Sequence, residues 1–307
     1  MIDIITHDVC QLHDMGQFHP ESPARIEAII DELQTSALPL QWHTARPIDS
    51  QWLYAAHARA HVDHVFTAAP VHGYKAVGPD ALMNPFTLNA ALHAAGSLIQ
   101  AVDKVYQQQA TQVFCLVRPP GHHAEYNQAM GFCFFNTIAS GVIYALKHYG
   151  VKKAGIVDFD VHHGNGTQHI LKDKAEILFC SSFQHPFYPF TPLVRDHPNL
   201  IHLPLAAGTA GEEYRLRFEE SILAPLQAFK PDILFVSAGF DAHKRDPIGG
   251  LNLDEDDFYW LGHTLANLAA NYCEGHIISV LEGGYHLEAL ADSTHSYLCG
   301  LYDGSPH

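Results

Sequence analysis

The chain has 307 residues, with 17 Lys and Arg against 33 Asp and Glu, so its formal net charge is -16. This acidity argues against tight, non-specific binding to nucleic acid or to anionic membranes, because both need a basic face. No apolar run approaches the ~20 residues of a membrane span, and the first residues lack a signal-peptide pattern. The cysteines are scattered without a C-x-x-C pair, which favours a reducing compartment and predicts a cytoplasmic protein.

The hydrophobic pattern predicts strands and helices that alternate along the chain. The predicted strands cover residues 2–6, 40–45, 112–117, 154–157, 177–182, 199–205, 232–237 and 276–281. The predicted helices cover residues 24–30, 52–69, 88–108, 137–149, 211–229 and 254–270, and a further helix is predicted to begin at about Thr167. This alternation predicts an α/β fold in which an open, mostly parallel sheet carries helices on both faces. We find no repeat or linker, so the expectation is a single domain over residues 1–307.

The helix predicted over residues 52–69 would carry three histidines on one face. They are His57, His61 and His64. Such a trio could bind a metal ion, but exposed histidines on a helix surface are the commoner case, and we expect exposure here. The following Gly- and Pro-rich segment, residues 70–85, contains Asp80 and is long enough to form the rim of a site.

The strand predicted over residues 154–157 runs into a polar turn that carries Asp158, Asp160 and His162. In an extended chain, side chains two residues apart point to the same side, so these three groups should converge. Two carboxylates held close beside a buried strand repel each other unless a cation lies between them. An Asp and His donor set suits Zn²⁺ or another divalent metal of borderline softness. The alternative is an acidic loop whose histidine bonds to nearby carbonyl groups.

Three other predicted strands also end in polar residues. They are followed by His122 and His123, by Asp241 and by Tyr285. Ligands of parallel sheets bind beyond the carboxyl ends of the strands, so we expect these side chains to share one site. Asp160, His162 and Asp241 would hold a metal with a fourth position open, as in catalytic zinc sites. A histidine base and a tyrosine donor beside that metal favour hydrolysis of an amide.

Four sequence blocks resemble the signature blocks of the zinc-dependent histone deacetylases. They are RPPGHHA over residues 118–124, DFDVHHGNGT over 158–167, SAGFDA over 237–242 and EGGY over 282–285. The similarity extends from Phe18-His19-Pro20-Glu21 nearly to the carboxyl terminus. Asn165, where class I members carry Asp, makes the chain more similar to class II and bacterial histone-deacetylase-like amidohydrolases. The resemblance implies an arginase/deacetylase-like fold and hydrolysis of N-acyl-lysine side chains in proteins or peptides.

The resemblance also implies a role for each matching residue. One Zn²⁺ per chain would be bound by Asp160, His162 and Asp241, and structural K⁺ by carbonyl groups around Asp158, Asp160, His162 and Ser182. The implied catalytic residues are His123 as general base and then acid, His122 beside it, Asp158 as the partner of His122, Asn165 as the partner of His123, and Tyr285 at the substrate carbonyl. The substrate-binding residues would be Gly131, Phe132, Tyr188, Ile248 and Gly284, with Tyr188 in place of the family's usual Phe.

Three other functions are weighed against this one. Acetylpolyamine deacetylases share the four blocks, but polyamine-selective members carry a Glu after the Asp-Pro pair, where this chain has Ile248. An arginase-like hydrolase with two metal ions would need a second Asp where this chain has His243. An acyl-lysine reader without turnover would have no need of Tyr285 or the adjacent histidines.

Overall fold

Strands and helices alternate in the computed structural model, which describes residues 1–192 and 197–305. The strands are β1 (Ile2–Thr6), β2 (Leu40–Thr44), β3 (Lys75–Ala76), β4 (Leu82–Met83), β5 (Gln112–Cys115), β6 (Ala154–Asp158), β7 (Ile177–Gln184), β8 (Leu200–Leu205), β9 (Ile233–Ala238) and β10 (Ile277–Leu281). The α-helices are α1 (Ala24–Thr35), α2 (Ser50–Ala56), α3 (Arg59–Ala68), α4 (Thr87–Tyr106), α5 (Thr137–Tyr144), α6 (Asn165–Leu171), α7 (Gly211–Phe218), α8 (Ala224–Phe229), α9 (Glu255–Tyr272) and α10 (Leu287–Asp303).

Eight strands form one parallel sheet in the order β2-β1-β5-β10-β9-β6-β7-β8. The remaining two, β3 and β4, pair as an antiparallel hairpin within the segment expected to be a rim loop. The four central strands of the sheet are those whose ends carry the predicted site residues. In the sheet register, Asp158 pairs with Ser237 of β9, so β6 and β9 end within one residue of each other, whereas β7, which pairs Ser181 with Asp158, continues to Gln184.

Helices cover both faces of the sheet because successive strand residues point to opposite faces. In β5, Val113 and Cys115 pack into the core formed with α4 and α5, whereas Phe114 packs into the core formed with α1, α9 and α10. Burial on both faces explains why the strands read as continuous apolar runs rather than as alternating patterns. The predicted single α/β domain with helices on both faces of a parallel sheet is therefore confirmed.

All six cysteines are free thiols, and five of them are buried. Cys115 and Cys180 lie in β5 and β7 and pack as small apolar side chains. Within residues 1–192 and 197–305, no helix combines the length and the apolar character needed to cross a bilayer.

The prediction of exposed histidines on one long helix holds for the exposed His64 but is wrong for His57 and His61 and for the helix itself. His57 ends α2 and the next helix begins at Arg59, so residues 52–69 form two helices. His57 and His61 are buried. The Nδ1 atom of His57 lies 2.8 Å from the carbonyl oxygen of Glu125, and Nε2 of His61 lies 2.9 Å from that of Phe134. These two histidines therefore tie the helices to the loops that follow β5.

Candidate metal centre and active site

The four loops that leave the central strands meet at the carboxyl edge of the sheet. Because β5, β10, β9 and β6 are neighbours in that order, the polar residues after each strand lie side by side. The loops after β6 and β9 bring together Asp160, His162 and Asp241, whose ligand atoms all lie within 4.8 Å of one another. Among the described residues, this is the one group of three or more His, Cys, Asp and Glu side chains that could hold a metal ion.

A tight turn, rather than an extended strand, aims the two ligands that follow β6. The strand ends at Asp158, and the backbone N–H of Asp160 donates to Oδ1 of Asp158 at 3.2 Å. The N–H of His162 donates in the same way to Oδ1 of Asp160 at 2.9 Å. The expected convergence of these side chains is present, but its cause is this hydrogen-bonded turn. Asp158 itself faces His122 instead of the metal ligands.

The three ligand residues form a site that a cation fits. The Nδ1 atom of His162 lies 2.9 Å from Oδ1 of Asp160 and 3.2 Å from Oδ2 of Asp241. One ring nitrogen has a single proton to donate, and Oδ2 of Asp241 is buried without a hydrogen-bond partner. A methyl group on Gly283 would lie 2.1 Å from that same oxygen and 2.6 Å from Oδ2 of Asp160. Glycine therefore lets the backbone approach both carboxylates closely.

The electrostatics of the cluster also favour a positive charge between the carboxylates. Burial, together with the charge of Asp160, raises the pKa of Asp241 to about 7. Although burial opposes protonation of the ring, the adjacent carboxylates of Asp160 and Asp241 raise the pKa of His162 to about 10. Two carboxylates and one imidazole are a donor set that suits Zn²⁺.

The two adjacent histidines after β5 have different partners. Nδ1 of His122 lies 2.9 Å from Oδ2 of the buried Asp158, and Nδ1 of His123 lies 2.7 Å from Oδ1 of Asn165. Burial works against the charged form of His122, but the carboxylates of Asp158 and Asp160 raise its pKa well above the usual value. Burial and the neighbouring imidazolium of His122 hold the pKa of His123 well below the usual value. At neutral pH, His122 is therefore charged and His123 is neutral.

A cavity of about 160 Å³ lies in front of this cluster. Its lining residues are Asp80, His123, Gly131, Phe132, His162, Phe187, Tyr188, Ile248 and Tyr285. Four of the five predicted substrate-binding residues are among them. The exception is Gly284, whose carbonyl oxygen accepts a hydrogen bond from Nε of the buried Arg25 at 2.6 Å. The ring of Phe187, which the sequence analysis did not assign to the site, stacks on His162 with a centroid separation of 5.2 Å.

Three acidic residues of the site were not assigned a role from the sequence. Glu282 is fully buried and accepts hydrogen bonds from the N–H groups of Gly121 and His122, at 2.8 Å and 3.1 Å. Asp246 accepts from the N–H of Tyr285 at 2.7 Å. Asp80 accepts from the N–H of Gly131 at 2.7 Å and from the hydroxyl of Tyr188 at 2.9 Å. Only the position of Glu282, directly after an apolar strand, was a signal in the sequence.

A buried ion-pair cluster supports the loop that carries Tyr285. Arg25 donates to the carbonyl oxygen of Gly284, and its guanidinium carbon lies 5.1 Å from the centre of the Tyr285 ring. Arg25 also pairs with Glu21 at 3.1 Å, and Glu21 binds Arg118 through both carboxylate oxygens. Arg25 is therefore an internal partner in this cluster and not a surface charge.

His243 lies outside the metal group, as expected for a single-metal site. Its Nε2 atom lies 3.2 Å from Oε1 of Glu255, at the amino-terminal end of α9. The position that would carry a second Asp in a two-metal hydrolase therefore supports the loop after β9 instead.

Comparisons with known proteins agree with this architecture. The family model of the histone deacetylase domain matches residues 19–301 of this chain. The chain is 36% identical over 301 residues to an uncharacterized protein of Synechocystis, covering 95% of this chain and 97% of that one. It is 35% identical to histone deacetylase 10, chloroplastic, of rice, covering 90% of this chain and 68% of the relative.

A solved structure has the same fold along the whole chain. The crystal structure of the HDA15 HD domain superimposes with a TM-score of 0.91 at 31% sequence identity, and the match covers 100% of this chain and 90% of that one. The domain match, the identities and this superposition agree on one conclusion. The chain belongs to the histone deacetylase family.

Proposed function

We propose that this chain is a zinc-dependent lysine deacylase, which hydrolyses the amide of N-acyl-lysine side chains in proteins or peptides. The observation that carries the proposal is that His162 of the metal group, His123 and Tyr285 line one cavity. Asp160, His162 and Asp241 would hold one Zn²⁺ per chain, the metal on which the family generally depends. When bound, zinc supplies a Lewis acid for the acyl carbonyl and makes a water molecule more acidic.

His123 is the residue we assign as general base. Its Nδ1 atom is bonded to Asn165, so the proton on Nδ1 is held there and Nε2 is left for the cavity that the ring lines. Because the pKa of His123 is held well below its usual value by burial and by His122, the ring is ready to accept a proton at neutral pH. It would take that proton from water and then give it to the departing lysine nitrogen.

His122 and Tyr285 stabilise the charges that develop during this reaction. His122 keeps a positive charge beside the general base, because Asp158 binds its Nδ1 atom. Burial, with the charge of Asp241, raises the pKa of Tyr285 well above its usual value, so its phenol remains protonated at neutral pH. A protonated phenol in the cavity can donate a hydrogen bond to the oxygen of the acyl group as that oxygen becomes negative.

The walls of the cavity favour an acyl-lysine over an acetylpolyamine. Phe132, Phe187 and Ile248 offer apolar surface for the methylene groups of a lysine side chain. A polyamine carries a second ammonium group that needs an unpaired acid near the cavity. Of the described residues that line it, one is acidic, Asp80, and both of its oxygens already accept hydrogen bonds.

Three finer parts of the proposal concern a structural ion, the cellular compartment and the partner. Structural K⁺ bound by carbonyl groups around Asp158, Asp160, His162 and Ser182 stays a prediction. Six free thiols, five of them buried, support a reducing compartment such as the cytoplasm. A partner is proposed only as substrate, a protein or peptide that carries an acylated lysine.

The test is a substrate screen with the full zinc-loaded chain. Peptides with lysine acyl groups of increasing length and a set of acetylpolyamines are incubated with the enzyme, and the released carboxylic acid is measured. We expect turnover of acyl-lysine peptides that a chelator abolishes and added zinc restores. Faster turnover of an acetylpolyamine than of every peptide would overturn the substrate assignment. Binding of acyl-lysine peptides without any turnover would instead indicate a reader.

A further inference from the structure

The side chain of Asn165 is hydrogen-bonded at both ends between the proposed base and a carboxylate. Its Oδ1 atom lies 2.7 Å from Nδ1 of His123. Its Nδ2 atom donates to Oε1 of Glu125 at 2.9 Å and lies 3.3 Å from the sulfur of Met130. A carboxylate is therefore connected to the base through one intervening amide.

The carboxylate of Glu125 determines the orientation of the Asn165 side-chain amide. An asparagine side chain donates only from its nitrogen and accepts only at its oxygen, and an ionised carboxylate only accepts. The NH₂ group of Asn165 must therefore face Glu125, which turns the carbonyl oxygen of Asn165 towards His123. A carbonyl oxygen can only accept, so Nδ1 of His123 carries the ring proton and Nε2 stays free to act as the base. The sulfur of Met130 is too weak an acceptor to impose the same orientation.

Glu125 is itself held in place by contacts outside the cavity. Its N–H donates to the carbonyl oxygen of Gln128 at 3.0 Å, and its own carbonyl oxygen lies 2.8 Å from Nδ1 of the buried His57. Its second carboxylate oxygen accepts from Nε2 of Gln128 at 2.9 Å and lies 3.3 Å from Nδ1 of His169. Glu125 does not line the cavity. Any effect on the reaction therefore passes through Asn165.

We propose that Glu125 is a positioning residue that fixes the orientation of the Asn165 amide and, through it, the tautomer of His123. The inference rests on the proposed function, in which His123 is the general base. Without Glu125 the amide can rotate by half a turn and donate its NH₂ group to Nδ1 of His123. The ring proton then moves to Nε2, and the nitrogen that faces the cavity can no longer accept a proton.

Steady-state kinetics of three variants test this role. Glu125→Ala should lower kcat about 10- to 100-fold, as is typical for partners that orient a reactive histidine. Its KM should stay near the wild-type value, because the residue lies outside the cavity. Glu125→Gln should keep most of the turnover, since a glutamine oxygen can accept the same hydrogen bond. Gln128→Ala removes the contact to the other oxygen and a 3.7 Å contact to the sulfur of Met130, but leaves Oε1 of Glu125 on Asn165, and should behave as wild type. Wild-type kcat in Glu125→Ala, or equal losses in the Ala and Gln variants, would overturn the proposal.

Exchanging the amide of Asn165 and the carboxylate of Glu125 between the two positions gives a second test. Asn165→Asp alone places two carboxylates in contact and should lower kcat. Asn165→Asp combined with Glu125→Gln restores a donor and acceptor pair, so the double variant should turn over faster than Asn165→Asp. A double variant no faster than the single one contradicts the proposed coupling.

A spectroscopic measurement separates this inference from the proposed function. Nitrogen-15 chemical shifts of the histidine rings distinguish the two neutral tautomers, and a His123→Gln sample identifies the signals of His123. The zinc-loaded wild type should show the proton on Nδ1, and Glu125→Ala should show a mixture or the opposite tautomer. If no acyl-lysine peptide is hydrolysed but the tautomer still changes in Glu125→Ala, the proposed function fails and the positioning role stands. An unchanged tautomer in Glu125→Ala removes the positioning role whatever the activity.

Discussion

Removal of the Tyr285 hydroxyl isolates one step of the proposed reaction. The ring of Tyr285 is held from behind by the guanidinium of Arg25 at 5.1 Å, and its edge meets Phe132 at a centroid distance of 6.2 Å. Its backbone N–H is bound to Asp246 at 2.7 Å. None of these contacts uses the hydroxyl group, so Tyr285→Phe should leave the ring, the loop and the metal ligands where they are.

Tyr285→Phe should lose the transition-state stabilisation that one hydrogen-bond donor gives to a developing oxyanion. Such a donor is typically worth about 3 kcal/mol in the transition state. At about 1.4 kcal/mol for each factor of ten, kcat should fall by about 10²- to 10³-fold. KM should change little, because the donor strengthens its hydrogen bond only as the oxygen becomes negative.

The assay is steady-state release of acetate from an acetyl-lysine peptide by the zinc-loaded chain. Bound zinc and the thermal midpoint are measured on the same samples, and both should equal those of the wild type. The exposed Tyr126 offers a matched control, since Tyr126→Phe removes a hydroxyl away from the cavity. Retention of kcat to within tenfold in Tyr285→Phe would refute the role assigned to this hydroxyl.

Four other changes test the surroundings of the site. Asp241→Asn should reduce bound zinc, measured by emission spectroscopy, from about one ion per chain and lower the thermal midpoint; two ions per wild-type chain would contradict a single-metal site. Arg25→Met should lower the free energy of unfolding by about 3 kcal/mol in urea titrations, because a buried ion pair is broken although Arg118 remains. Burial raises the pKa of Glu282 from 4.5 to about 7, so the folded state binds more protons between these values and loses stability as the pH rises through them. Glu282→Gln should reduce this pH dependence of the free energy of unfolding, measured by urea titrations at a series of pH values. An unchanged pH dependence would exclude Glu282 as its source. Tyr188→Phe removes the hydrogen bond to the rim loop and should raise KM by up to about tenfold with kcat retained; a loss of kcat alone would contradict this.

The strand and helix pattern was largely predictable because burial on both faces of a parallel sheet leaves continuous apolar runs in the sequence. The helix boundary at His57 was not, since its pattern continues across the break, and the contacts made there are with residues distant in sequence, among them Glu125 and Asn136. Chemistry-bearing residues were predictable where they follow a strand end, as Asp160, His162 and Asp241 do. The contact of Phe187 with His162 and that of Asp80 with Tyr188 were not predictable, because loop residues have no periodicity that reports the direction of their side chains.

The sequence by itself determined most of the strands and helices, although not α10, β3 or β4. It also determined which strand ends carry reactive groups and to which family the signature blocks point. These are local properties, set by periodicity and by spacings of a few residues. Only the tertiary structure decided that β5, β10, β9 and β6 are neighbours, and that Arg25 reaches Gly284, 259 residues away in sequence. It also decided that a carboxylate, Glu125, stands behind Asn165. Such pairings depend on the packing of the whole sheet against its helices, and no short stretch of sequence contains that information.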